Sequence, residues 1–298
     1  DLKVYIEELS SFQQNCFDKI EIMSKCIAKL DLVLCKAYIA EKNCYVKPII
    51  NDEHATSYFE AEGLRHALIE HINKDEIYVD NDISLGDQCS GVLLYGTNAV
   101  GKTSLIRAIG ISIIMAQSGF YVPCSQFTYK PYKAIFSRIL GNDNLFKGLS
   151  TFAVEMSELR TILQLADENS LILGDELCSG TETESALSIF VSGLQHLHLV
   201  NSSYIFATHF HEIVNYDEIK QMESLNLMHL EVNYDRQQDC LVYDRKLKEG
   251  SGPRIYGLEV CKSLHMKEEF LDNAFRIRNK YFSHVNSTLD YNKSKYNA

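Results

Sequence analysis

The stretch LLYGTNAVGKTSLIRA, residues 93–108, decides the fold. An apolar run ends in Gly96, four residues intervene, and Gly101-Lys102-Thr103 opens a segment whose apolar residues recur at helical spacing. GTNAVGKT satisfies the pattern G-x-x-x-x-G-K-[ST]. Gly96 and Gly101 let backbone N–H groups turn inward and line a polyphosphate. The helix that starts there adds the positive end of its dipole. In this pattern Lys102 reaches the β- and γ-phosphates and Thr103 offers its hydroxyl to Mg2+. Gly96, Thr97, Asn98, Ala99, Val100, Gly101, Lys102, Thr103 and Ser104 are therefore the candidate nucleotide-binding loop.

Working outward, apolar strands are expected at 92–95, 171–174 and 203–207, with helices near 102–118, 151–167 and 182–199. Strand–helix alternation argues an α/β fold with a mainly parallel sheet flanked by helices. Residues 56–95 read as short strands and turns, and 229–247 as a hairpin around DRQQ at the sheet edge. Residues 1–44 hold no Pro and no Gly, and apolar residues recur in steps of three and four (Leu2, Ile6, Leu9, then Phe17, Ile20, Ile27, Leu30, Leu34). This predicts one long helix or a helix pair with a packing role, ended by Pro48. The chain is helical again up to about Phe282, and the polar tail SHVNSTLDYNKSKYNA reads as loose.

Two further strands carry chemistry at their carboxyl ends. SLILGDE, residues 170–176, ends in two carboxylates. Beside a phosphate loop, Asp175 is expected to hold the magnesium. Glu176 is placed to orient or deprotonate the attacking water. SYIFATHFHE, residues 203–212, ends in Thr208 and His209. In a parallel sheet the carboxyl ends face one crevice, so His209 joins Gly96 and Asp175 on one rim, in reach of the γ-phosphate or the water. GLSTFAVEMSELRTILQLAD, residues 148–167, offers Ser150 as a helix cap, with Phe152, Met156, Leu159 and Leu163 on one face. Its N-terminus could receive an anion.

Composition narrows the rest. The 298 residues carry a net charge of −11, so any nucleic-acid contact should be local or lie in another part of the protein. Nine cysteines without a C-x-x-C pair speak against a zinc ribbon and for a reducing compartment. No apolar run is long enough to span a bilayer, so no membrane partner is expected. The opening DLKVYIEELS lacks an initiator Met and a signal-peptide pattern, and reads as a fragment of a longer chain.

Read in order, GTNAVGKTS, SGFYVP, STFAVEM, LILGDELCSGT and FATHFHE resemble the ATPase domain of the MutS family of DNA mismatch-repair proteins, over about residues 45–280. The resemblance implies a P-loop fold of the ABC/MutS type, with ATP and Mg2+ as ligands. Residues 1–45 would be the end of the core and lever helices and 46–257 the ATPase domain. Residues 258–284 would form a helical dimerisation segment, and 285–298 a disordered tail. It implies a composite site, in which Ser150 caps the nucleotide of a second MutS-type subunit. Asn98 would sense the γ-phosphate, and Tyr78, in EIYVDND, would stack on adenine. Lys102, Glu176 and His209 would serve hydrolysis, and Thr103 and Asp175 the metal. Mismatched DNA would be reached through regions outside this chain, inside the cell.

The chain departs from the family at Thr97 (usually Pro), at Ala99-Val100 (usually Met-Gly), at Cys178-Ser179 (usually Gly-Arg) and at Ile255 (usually Ser). Every group expected to handle magnesium, phosphate and water is retained. Coupling across the subunit interface is expected to differ, and the departures resemble viral or organellar branches. Two other readings stay open: a relative acting on branched DNA, and a nucleotide-gated dimerisation module with little hydrolysis. The LSGGQ signature of transporter subunits is absent.

Overall fold

A computed structural model describes residues 2–73, 77–97, 100–139, 151–178, 181–235, 240–252 and 257–281. The central sheet has six strands: β4 (Gly91–Tyr95), β6 (Ala134–Arg138), β7 (Ser170–Asp175), β8 (Ser203–Ala207), β9 (Leu225–Asp235) and β10 (Cys240–Glu249). Their spatial order is β10-β9-β4-β8-β7-β6. All neighbours are parallel except β10 and β9. The parallel strands and the edge hairpin agree with the sequence reading; the turn at 236–239 lies outside the described residues.

Strand alternation builds a core on each face of this sheet. Val92 and Leu94 of β4, with Ile205 and Ala207 of β8, face α3 (Lys102–Gln117), whose Leu105, Ile106, Ile109 and Ile113 are buried there. Leu93, Tyr95, Tyr204 and Phe206 face the other way, onto α4 (Thr151–Leu165) and α5 (Thr183–Leu199). Both faces are covered, which is why β4, β7 and β8 read as near-continuous apolar runs.

The sequence reading did not foresee the second sheet. Strands β1 (Ile49–Ile50), β2 (Tyr58–Leu64), β3 (Asn81–Leu85) and β5 (Gln126–Lys130) form a separate sheet in the order β1-β5-β2-β3, with β2 antiparallel to both neighbours. Phe59, Leu64, Leu85 and Phe127 of this sheet share one core with α3, so α3 is covered on both sides.

Residues 2–43 form one helix, α1, of 42 residues. Its expected packing face is not covered in this chain: only Ala40 is buried, and Ile20, Ile27, Leu30 and Leu34 stay at least half exposed. The reason is reach, because among the described residues only its C-terminal turns have neighbours. Ala40 packs with Tyr45, Ala67, Ile111 and Met115, and the Lys36 ammonium lies 4.5 Å over the Phe120 ring. The chain closes with α7 (Gly257–Ser263) and α8 (Glu268–Tyr281), which carries Leu271 and Phe275 as its buried residues. Among the described residues no helix is long and apolar enough to cross a membrane.

Candidate functional site

Strands β4, β8 and β7 lie side by side and parallel, so their carboxyl ends meet on one rim. The glycine loop leaves β4 there. Gly101 has φ 112° at the N-cap of α3, and Gly96 has φ 150°, values that L side chains rarely adopt. A Cβ at Gly96 would stand 2.9 Å from Val100 Cγ1, and Val100 is fully buried. Lys102 is only 5% exposed, and its Nζ donates to the carbonyls of Gly96 (2.7 Å) and Thr97 (3.1 Å). Burial pushes its pKa below the ordinary lysine value, against the raising effect of Glu176 and Asp175. The Thr97 hydroxyl is buried with no hydrogen-bond partner among the described residues. A cation folded onto its own loop carbonyls and an orphaned buried hydroxyl are groups that an oxyanion ligand would satisfy.

Across the rim, Thr103 Oγ1 donates to Asp175 Oδ2 at 2.6 Å, and Asp175 is buried at the end of β7. Two adjoining oxygens, one of them a carboxylate's, suit a hard divalent cation. Among the described residues no cluster of three or more His, Cys, Asp or Glu could hold a metal, so a cation here would lean on Thr103, Asp175 and a phosphate. Glu176 follows, half-buried, with φ 50° and its N–H donating to Ala207 at 3.0 Å. His209 is exposed just past β8, its ring 4.6 Å from that of Phe210. Thr208 Oγ1 is occupied, accepting from the Phe210 N–H at 3.1 Å.

A cleft of about 70 Å³ opens beside the loop. That is more than one water requires. Asn81 of β3 and Tyr78 and Val79 just before it line one side, Gly101, Ser104 and Leu105 line it from the loop and α3, and Leu230 and Arg245 from the edge hairpin. Desolvation raises the Tyr78 hydroxyl to about 12, so it stays a neutral aromatic surface. The hairpin reaches across because its register shifts between Tyr243 and Leu247, with Arg245 at φ 57°. Asn81 holds it there: Nδ2 donates to the Arg245 carbonyl (3.1 Å) and Oδ1 accepts from the Leu247 N–H (2.7 Å).

The fold therefore brings Gly96, Thr97, Val100, Gly101, Lys102, Thr103, Ser104, Asp175, Glu176 and His209 onto one rim, with Tyr78 at the adjoining cleft. Asn98, Ala99 and Ser150 lie outside the described residues, as do Ser179 and Ile255. Two residues escaped the sequence reading. Arg245 carries no local pattern, since only the bulge and the Asn81 contacts place it. Glu155 was legible: helical spacing puts it with Leu159 and Ile162 on the buried face of α4, where a carboxylate is unusual.

Comparison with known proteins gives an independent line. The family described as MutS domain V matches residues 92–281. A protein of Acanthamoeba polyphaga mimivirus, named as a DNA mismatch repair protein mutS homolog, is 35% identical, covering 99% of this chain and 29% of its own. The mitochondrial DNA mismatch repair protein mutS homolog of Sarcophyton glaucum is 39% identical over 85% of this chain and 25% of its own. The DNA mismatch repair protein MutS of Lactococcus lactis subsp. lactis is 33% identical over 88% and 31%. The chain thus spans roughly a third or less of the length of these curated relatives.

Proposed function

Because this chain belongs to the MutS family, we propose that it binds ATP with magnesium and hydrolyses the γ-phosphate, as the ATPase part of a DNA mismatch-repair protein. The observation that carries this is the 2.6 Å contact of Thr103 with Asp175, beside Glu176, at the mouth of the glycine loop. The fold would be a P-loop NTPase of the ABC/MutS type, with residues 46–257 as the ATPase domain between the helical segments 1–45 and 258–284.

Lys102 exchanges the carbonyls of Gly96 and Thr97 for the β- and γ-phosphate oxygens, and Asn98 and Thr97 add donors beside it. Thr103 and Asp175 would hold magnesium, which would supply neutralisation of charge on the phosphate oxygens. Glu176 positions the attacking water and His209 lies within reach of the γ-phosphate. Tyr78 stacks on the adenine. Ser150 caps the nucleotide of a second MutS-type subunit, so each site is complete only in the dimer. In the whole protein this cycle would govern binding of mismatched DNA by regions beyond this span.

Phosphate release by the chain and by Glu176→Gln, with Mg2+ and with a chelator, tests this. Hydrolysis should need Mg2+ and fall by about 10²-fold or more in the variant, with ATP binding retained. Equal, slow turnover by both proteins would show a nucleotide-binding module instead of a hydrolase.

A further inference from the structure

Glu155 sits on the buried face of α4, only 4% exposed, and its Oε1 accepts from the Cys178 N–H at 2.7 Å. This bond joins α4 to the turn that leaves β7. The turn is unusual: Glu176 has φ 50° and Cys178 has φ 66°, two non-glycine residues in the left-handed region on either side of Leu177. Such residues are strained and persist only where their surroundings hold them. Three ties hold this turn. The Glu176 N–H extends the ladder to Ala207 at 3.0 Å. The Leu177 and Cys178 side chains are buried in the core that α4 and α5 cover. The third tie is Glu155. Burial raises the Cys178 thiol to about 12, with the Glu155 charge adding to it, so the thiol stays a neutral filler of that core.

We infer that Glu155 is a positioning residue for Glu176: by gripping the Cys178 amide it fixes the left-handed turn that points the Glu176 carboxylate at the rim. The inference rests on the ATPase reading above. It also ties α4, whose N-terminal end is expected to face the partner subunit's nucleotide, to the base of this chain's own site. A displacement of α4 would then reach Glu176 through one hydrogen bond.

Glu155→Gln, Glu155→Asp and Glu155→Met in the 298-residue chain test it, with kcat, KM, the Kd of a fluorescent ATP analogue and Tm as readouts. Gln keeps an acceptor oxygen at the same reach, so kcat should stay near the wild-type value. Asp withdraws the oxygen by a methylene, and kcat should fall about tenfold or more with Kd unchanged, as expected for misplacement of a reacting group. Met keeps the volume without a buried charge and should show the same loss of kcat, which covers the case that the Asp variant does not fold. A purely structural Glu155 would lower Tm and leave the kcat of the folded protein alone; that outcome overturns the inference. So does a Gln variant as slow as Asp, because the acceptor would then not be what matters. Wild-type hydrolysis lost by Glu176→Gln but unaltered by Asp and Met sinks this inference alone, whereas no wild-type hydrolysis sinks the ATPase reading together with it.

Discussion

His66 is 4% exposed, and its Nδ1 accepts from the N–H groups of Leu68 and Ile69 at 3.2 and 3.3 Å. An acceptor nitrogen requires the neutral ring. Burial lowers its pKa from 6.5, opposed by a contact with its own backbone; Arg107 lowers it further and Glu70 raises it. The folded state therefore binds fewer protons than the unfolded one. The stability this contributes is full above pH 6.5 and is lost as the pH falls from there through the depressed folded value. His54, held by Thr56 and Asp87, is raised instead, and its contribution is lost as pH rises. The comparison that isolates His66 is Tm at pH 7.5 and 5.5 for wild type and His66→Gln. Wild type should lose more Tm on acidification, and parallel curves would refute the assignment. The His66 ring also lies 6.4 Å from that of Tyr78. At this scale the glycine loop and the carboxylates that end β7 were legible, because left-handed turns and an apolar strand ending at the sheet rim are local patterns. His66 was not, since its role depends on which amides the folded chain turns toward it.

Among the elements, β7 and β8 hold the rim together through one close approach. A Cβ on Gly174 would fall 2.0 Å from Phe206 Cδ1, and Phe206 is almost fully buried. The ring has nowhere to go, since Phe190 meets its edge at 5.7 Å. Gly174→Ala should therefore destabilise the chain by about 1–3 kcal/mol, read as a lower urea midpoint with unchanged slope. Because Asp175 is the next residue, it should also weaken magnesium-dependent turnover. An unchanged midpoint would mean that the strands slide apart more easily than their parallel pairing implies. The small sheet shows why element pairing is hard to read from sequence. Phe127 and Tyr129 alternate with polar neighbours as a strand should, but β5 pairs with residues 58–62 and 49–50, far away in the chain. Periodicity reports the side-chain face and is silent about the partner.

For the molecule as a whole, two features reach past the core of one chain: the exposed helix α1 and the rim that the proposed function completes in a dimer. The exposed length of α1 is tied to the rest through its last turn, where Arg65 Nη2 donates to the carbonyls of Asn43 and Cys44 and Nη1 pairs with Glu70 at 3.1 Å. If the site is composite, the chain should dimerise with ATP under conditions that block hydrolysis. Ser150→Ala should weaken that dimer while leaving the fold intact. Sedimentation of Glu176→Gln with and without ATP, alone and combined with Ser150→Ala, measures this. Association indifferent to both would count against a shared site.

By itself the sequence determined the glycine loop between β4 and α3, the carboxylates at the end of β7, the order of the parallel strands along the chain and the family. These rest on local rules: left-handed turns at Gly96 and Gly101, and apolar runs where both sheet faces are covered. LLYGTNAVGKTSLIRA thus identified the loop, and tertiary structure placed its neighbours. Only the fold decided that Arg245 from a bulged edge strand lines the Tyr78 cleft, that Asn81 fixes it there, and that Glu155 reaches the turn beside Glu176. Those contacts join residues 23 to 164 positions apart, and a distance of that kind is set by packing and sheet order, which no local pattern encodes.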